Sequence, residues 1–122
     1  MVSIQAKLKK LLAEELNRIE ALKNQSLVID SPPSHLYIES TNICNHDCIM
    51  CVPKGKRGKP GYMSMETWKR IADNMHANNI MTPSTLIGRG EPLLHKQIDE
   101  IISYGTKRNI PCYIITNGAL LD

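Results

Sequence analysis

The sequence predicts an α/β fold assembled from parallel strand-helix units, and three observations carry that prediction. Short apolar segments alternate with longer ones whose apolar residues recur at helical spacing. Each short segment runs into a turn or loop rich in Cys, Gly, Asn or Pro. At 122 residues the chain holds one domain at most, because domains cluster at about 100–150 residues. Strand, helix, strand, helix, strand is the order of right-handed βα crossovers, so the loops leaving the C-terminal strand ends should open on one face. In βα barrels and open α/β sheets, that face is where chemistry is done.

The elements follow in order. Ile4, Leu8, Leu11, Leu12, Leu16, Ile19 and Leu22 form an apolar stripe, with Lys and Glu on the other face, so residues 3–23 read as an amphipathic helix. Asp30-Ser31-Pro32-Pro33 breaks any helix, and residues 1–34 therefore read as an N-terminal helix and linker. Residues 35–41 form a short strand in which Leu36 and Ile38 suit packing under helices, while Tyr37 and Glu39 face the other way. A cysteine-containing loop comes next. Ser64 caps a helix reaching about residue 79, with Met65, Trp68, Ile71, Ala72 and Met75 as its core stripe. Residues 85–88 make a second strand, ended by Gly88-Arg89-Gly90-Glu91-Pro92. Ile98, Ile101 and Ile102 place a helix over about 95–108, and residues 112–116 form a third strand closed by Asn117-Gly118.

Composition narrows the function classes only a little. Lys plus Arg number 15 against 12 Asp plus Glu, a net +3 that does not motivate a nucleic-acid partner. A hydrophobic fraction of 42% with 22% charged residues is ordinary for a globular chain. No apolar run approaches the roughly 18 residues of a membrane span. Lys7, Lys9, Lys10, Glu14 and Glu15 interrupt the N-terminal apolar residues, so a secretory signal is absent and the expected compartment is the cytoplasm. There, cysteines are reduced, and a cluster of them reads as a metal site.

Cys44, Cys48 and Cys51 offer three thiolates from one loop, one short of four. Structural zinc is normally closed by four Cys or His ligands, whereas an iron-sulfur cubane on three cysteines leaves one iron open for an outside ligand. A zinc site with His46 or Cys112 as fourth ligand is the competing reading. His46 lies awkwardly between the first two cysteines, and Cys112 sits in an apolar strand where it suits the core.

Cys44-Asn45-His46-Asp47-Cys48-Ile49-Met50-Cys51, directly after Ser40-Thr41, resembles the cluster loop of the radical S-adenosylmethionine (radical SAM) superfamily. Gly90-Glu91-Pro92 is similar to the family's Gly-Gly-Glu-Pro motif, and Thr116-Asn117-Gly118 to the turn after its third strand. The resemblance covers residues 35–122. It implies a partial (β/α) barrel of about three βα units, the N-terminal half of the family's core, and so the N-terminal part of a longer enzyme. It makes Cys44, Cys48 and Cys51 ligands of a 4Fe-4S cluster, with the amino and carboxylate groups of SAM on the fourth iron.

The same resemblance gives Gly90, Glu91, Met50 and Asn117 to SAM. Gly90 and Glu91 would hold the methionyl amino group, and Met50 stands where an aromatic residue commonly lies against the adenine. Arg89 replaces the first glycine of the motif, and Glu39 is a further candidate for the site. The implied activity is an oxidoreductase chemistry: reductive cleavage of SAM to a 5′-deoxyadenosyl radical that abstracts hydrogen from a peptide or small metabolite. Reduced flavodoxin or ferredoxin would supply the electron, and the basic loop of Lys54, Lys56, Arg57 and Lys59 would suit an acidic donor. The alternative is a non-catalytic zinc-binding cysteine-loop module, in which Gly90-Glu91-Pro92 has no role.

Overall fold

The computed structural model describes residues 3–121. They fall into two units, divided between Ser34 and His35. In the first, helix α1 spans Ile4–Lys23. Ser3 opens it by accepting the Ala6 N–H on its hydroxyl at 3.2 Å. Asn24 caps the other end, followed by Gln25 in the left-handed region at φ 51°. Glu15 pairs with Arg18 one turn on, and Arg18 also donates to the Pro32 carbonyl. No helix among the described residues is long and apolar enough to cross a membrane.

The second unit holds strands β1 (Leu36–Ile38), β2 (Ser84–Leu86) and β3 (Cys112–Ile114), with helices α2 (Met65–Ala77) and α3 (Ile98–Thr106) between them. All pairings are parallel in the order β1-β2-β3, and Leu36, Ser84 and Cys112 stand in register. This is the α/β arrangement the sequence predicts. One sheet face carries Leu36, Ile38, Leu86, Cys112 and Ile114 and packs with the apolar stripes of the two helices. Trp68, Ala72, Met75, Leu86, Ile101 and Ile110 form its buried centre. Trp68 also joins the helices, donating its indole N–H to the Ile101 carbonyl at 2.8 Å. At Gly105 a Cβ would come within 2.6 Å of Cys112 Sγ and 3.0 Å of the Trp68 ring, so the bare Cα lets α3 lie close to the sheet. On the outer surface Arg108 stacks on the Tyr104 ring and pairs with Asp73, joining α3 to α2.

The strands are shorter than their apolar patterns predict, and the loops are the reason. One ladder bond continues past each pair, Ile87 N–H to Ile38 and Ile115 N–H to Leu86. Beyond that, Glu39 turns to Arg89, Thr41 bridges to Tyr62, and Thr116 donates to Glu91. Helix α3 also starts later than residue 95. Pro92–Leu94 form a separate 3-10 turn, and His95 caps Gln97 by accepting its N–H on Nδ1 at 3.1 Å.

Candidate active site

The site grows from the C-terminal ends of the three strands. After β1, Thr41 donates its hydroxyl to the Gly61 carbonyl at 2.8 Å, and the Met63 N–H reaches Ser40 at 2.8 Å. The Asn42 amide donates to the carbonyls of Arg57 and Lys59 at 3.0 and 2.9 Å and accepts from the Gly61 N–H at 2.9 Å. Two short polar side chains thus close a long loop, residues 41–62, at its root. Its far part carries half-buried Cys44 and exposed Cys48 and Cys51, none of them in a disulfide. A turn with Cys51 N–H on the Cys48 carbonyl brings the last two together, while the His46 N–H points at Cys44 Sγ from 3.4 Å. Met50, between them, is 85% exposed.

The turn after β2 is pressed against that root. A Cβ on Gly90 would sit 2.2 Å from the Thr41 carbonyl oxygen and 2.6 Å from that of Ile43. Only glycine permits this approach, and it delivers the Glu91 N–H to the Ile43 carbonyl at 2.8 Å. The Glu91 side chain then reaches the third turn. Its Oε1 accepts from the Leu93 N–H at 3.0 Å and the Thr116 hydroxyl at 2.7 Å, and Oε2 accepts from the Asn117 N–H at 2.8 Å. Burial to 2% exposure pushes the Glu91 carboxyl up. The bonds from Asn117, Leu93 and Thr116, with the charge of His46, outweigh burial and hold it below its ordinary value.

Asn117 completes the circuit by donating its amide to Asn45 Oδ1 at 2.9 Å and pointing at Cys44 Sγ from 3.9 Å. A second pair stands beside this hub. Glu39, at the end of β1, accepts the Arg89 backbone N–H at 2.7 Å and its guanidinium through Nε and Nη2 at 3.1 and 2.8 Å. The Arg89 hydrogen bond is the main reason the Glu39 carboxyl is held low. Gly88 is bare where a Cβ would strike the Glu39 side chain at 2.6 Å.

Several sequence expectations meet a different neighbourhood here. The space that Gly90 leaves open is taken by the Thr41 and Ile43 backbone. Three of the roughly four acceptor positions of the Glu91 carboxylate go to its own chain, leaving one on Oε2. Arg57, grouped by sequence with the lysines of a basic donor-facing loop, is buried. Cys112 lies at the opposite end of its strand from Asn117, packed beneath Gly105, and burial pushes its thiol up. Asn42 lies outside every sequence motif, and Asn45, Thr116 and Arg57 enter the sequence reading only as members of a motif or of the basic loop. For Asn42, Asn45 and Thr116 the sequence signal is the preference of Asn and Thr for binding nearby backbone in turns, and Arg57 has none.

A model of the radical SAM superfamily matches residues 38–122. The chain belongs to the radical SAM superfamily. It is 32% identical over 89 residues to the antilisterial bacteriocin subtilosin biosynthesis protein AlbA of Bacillus subtilis, covering 73% of this chain and 19% of that protein. It is 30% identical over 81 residues to the S-adenosylmethionine-dependent nucleotide dehydratase of Selenomonas ruminantium, covering 66% and 28%. The chain thus spans less than a third of either relative. Among solved structures, BtrN in complex with AdoMet and 2-DOIA shares the fold, with a TM-score of 0.67 at 23% identity, over 76% of this chain and 39% of BtrN. The three parallel strands and the helices between them are therefore part of a radical SAM barrel.

Membership implies a 4Fe-4S cluster and SAM, and the residues present fit them. Three unbridged thiols in eight residues supply soft ligands of the right kind and number, at the strand ends where ligands bind. Among the described residues no three His, Cys, Asp or Glu side chains gather closely enough for a single metal ion. Thiolates that each bind a different iron of a cubane need not meet at one point.

Proposed function

We propose that residues 35–122 carry the cluster-binding and part of the SAM-binding face of a radical SAM oxidoreductase, with Cys44, Cys48 and Cys51 as ligands of a 4Fe-4S cluster. The observation that most supports this reading is the Glu91 carboxylate. It joins the turns after β2 and β3, while its N–H binds the root of the cysteine loop, so three motifs distant in sequence form one hydrogen-bonded surface. A zinc-binding module would have no use for such a junction.

The chemistry that cluster and SAM supply when bound is one-electron cleavage of the sulfonium to a 5′-deoxyadenosyl radical, for hydrogen abstraction from a substrate. The residues of this chain bind and orient. The backbone of the Gly90-Glu91 turn suits a methionyl ammonium, while the Glu91 carboxylate, 2% exposed, holds that turn in place. Met50 offers an exposed, polarizable thioether to the adenine face. Asn117 aims an amide donor at Cys44 Sγ, and hydrogen bonds to a ligating sulfur tune a cluster's potential. The substrate belongs to the peptides and small metabolites. Exposed Lys54, Lys56 and Lys59 suit an acidic reduced flavodoxin or ferredoxin as donor, and a reducing cytoplasm would keep the thiols free.

The test is electron paramagnetic resonance of the anaerobically iron- and sulfide-reconstituted, dithionite-reduced chain, with and without SAM. A cubane signal that changes on adding SAM is the expected result. Stoichiometric zinc with no cubane signal after reconstitution would replace this reading with the zinc module.

A further inference from the structure

Four basic residues follow the cysteines, and one of them behaves unlike the rest. Lys54, Lys56 and Lys59 are exposed, whereas Arg57 is 4% exposed. Its Nε donates to the Val52 carbonyl at 2.8 Å, and Nη1 and Nη2 face the His46 carbonyl at 3.5 Å. Residue 46 lies between the first two cysteines and residue 52 follows the third, so one side chain spans the loop that bears all three thiols. Its own backbone is anchored by the Asn42 amide. Arg57 and Cys44 line the same cavity of about 220 Å³.

The charge balance around Arg57 is incomplete. The carboxylate that faces it is Asp47, 3.5 Å away, with a side chain 54% exposed. A buried charge is costly unless it is closely paired and hydrogen-bonded, and a long contact to a solvated carboxylate offsets little of that cost. A guanidinium cannot lose its proton in a protein, so it stays a cation within the thiol-bearing loop. We propose that Arg57 is a positioning and charge-compensating residue for an anionic iron-sulfur centre on Cys44, Cys48 and Cys51, an inference that rests on the cluster reading above. Three thiolates on one short loop repel one another, and an enclosed cation offsets that repulsion. One-electron reduction adds a further negative charge, so the same cation favours the reduced form and raises the midpoint potential. The planar fork holds two carbonyls in fixed directions, which a lysine ammonium cannot reproduce.

The experiment compares the full chain with Arg57→Lys and Arg57→Met after anaerobic reconstitution with ferrous iron and sulfide. Iron and sulfide per chain, iron release to a chelator and the midpoint in a dithionite-poised titration are read, with circular dichroism melts as a check on folding. Arg57→Met should lose most of its iron or, where the cluster is kept, show a midpoint lower by at least 59 mV, a tenfold change for one electron. Arg57→Lys should keep the midpoint within that margin but release iron several-fold faster. A folded Arg57→Met with the parent's iron content, release rate and midpoint overturns the inference while the cluster reading stands. Should Arg57→Met fail to fold, Arg57→Lys decides: parental iron release, or a midpoint lowered beyond the margin, overturns it. A parent chain that takes up no cluster overturns the cluster reading, and this inference with it.

Discussion

Replacing Glu91 with Gln tests whether one carboxylate joins the turns after β2 and β3. Its Oε1 serves Leu93 and Thr116, and Oε2 serves Asn117. Gln keeps most by placing its carbonyl oxygen at the Oε1 position, which puts its NH2 against the Asn117 N–H, donor to donor, in a nearly closed space. The loss comprises one charge-assisted bond, the charge on two others and a buried N–H without a partner. Each such loss is worth about 1–3 kcal/mol singly, and sharing among them brings the expected total to about 3 kcal/mol. Urea unfolding followed by the fluorescence of Trp68, the single tryptophan and fully buried, measures it directly. The acid side gives a second readout. Because the folded Glu91 pKa is below its unfolded value, the carboxylate contributes stability above the ordinary carboxylate range and loses it as pH falls through the folded value. Glu91→Gln should flatten that part of the pH profile. A variant within about 0.5 kcal/mol of the parent, with the same acid limb, would refute the junction.

Two further outcomes follow from the packing. Gly105→Ala should destabilise the chain by about 1–3 kcal/mol, because the added methyl meets Cys112 Sγ and the Trp68 ring inside the core; a melt unchanged from the parent would show that α3 can move away freely. Arg108→Gln should raise the Asp73 pKa in a carboxyl-resolved NMR titration, since the Arg108 hydrogen bond is the main cause of its lowering. The stability this pair adds is present above the ordinary aspartate range and disappears as pH falls through the folded value, so the variant should lose that dependence.

The legible part of this molecule is what repeats. The Met65, Trp68, Ile71, Ala72 and Met75 stripe announces α2 and its core face, because a period of 3.6 survives any choice of partner. The cysteines are legible for a similar reason: their spacing is itself the geometry of one loop. The strands end earlier than their sequence pattern predicts because Glu39, Thr41 and Thr116 have residue types that fit a ladder, and only the neighbouring loop decides that they leave it. Arg57 shows the same limit more sharply. Among Lys54, Lys56 and Lys59 it reads as one more solvated cation, and nothing local separates it from them. Its burial follows from Asn42 and Thr41 closing the loop at residues 57–61, a tertiary event with no sequence period.

The two halves of the candidate site therefore differ in kind. The Gly90-Glu91 hub is fixed by backbone approach to Thr41 and Ile43 and by a buried carboxylate with three partners, so the surface we propose for SAM would stand before any ligand arrives. The thiol-bearing stretch is attached at its root and through Arg57, while Cys48, Ile49, Met50 and Cys51 stand exposed. Few buried contacts hold it, which places it at the low end of local stability. A ligand that binds the folded loop and not an open one adds its binding free energy to that stretch. Cluster binding would then order the loop against a hub that is already in place, and Asn117 is where the two meet. Its backbone N–H belongs to the Glu91 junction, and its side-chain amide reaches Asn45 and Cys44. Under the proposed function, coupling between cluster and SAM would run within this chain from Cys44 through the Asn117 amide and backbone to the one carboxylate that also holds the turn after β2.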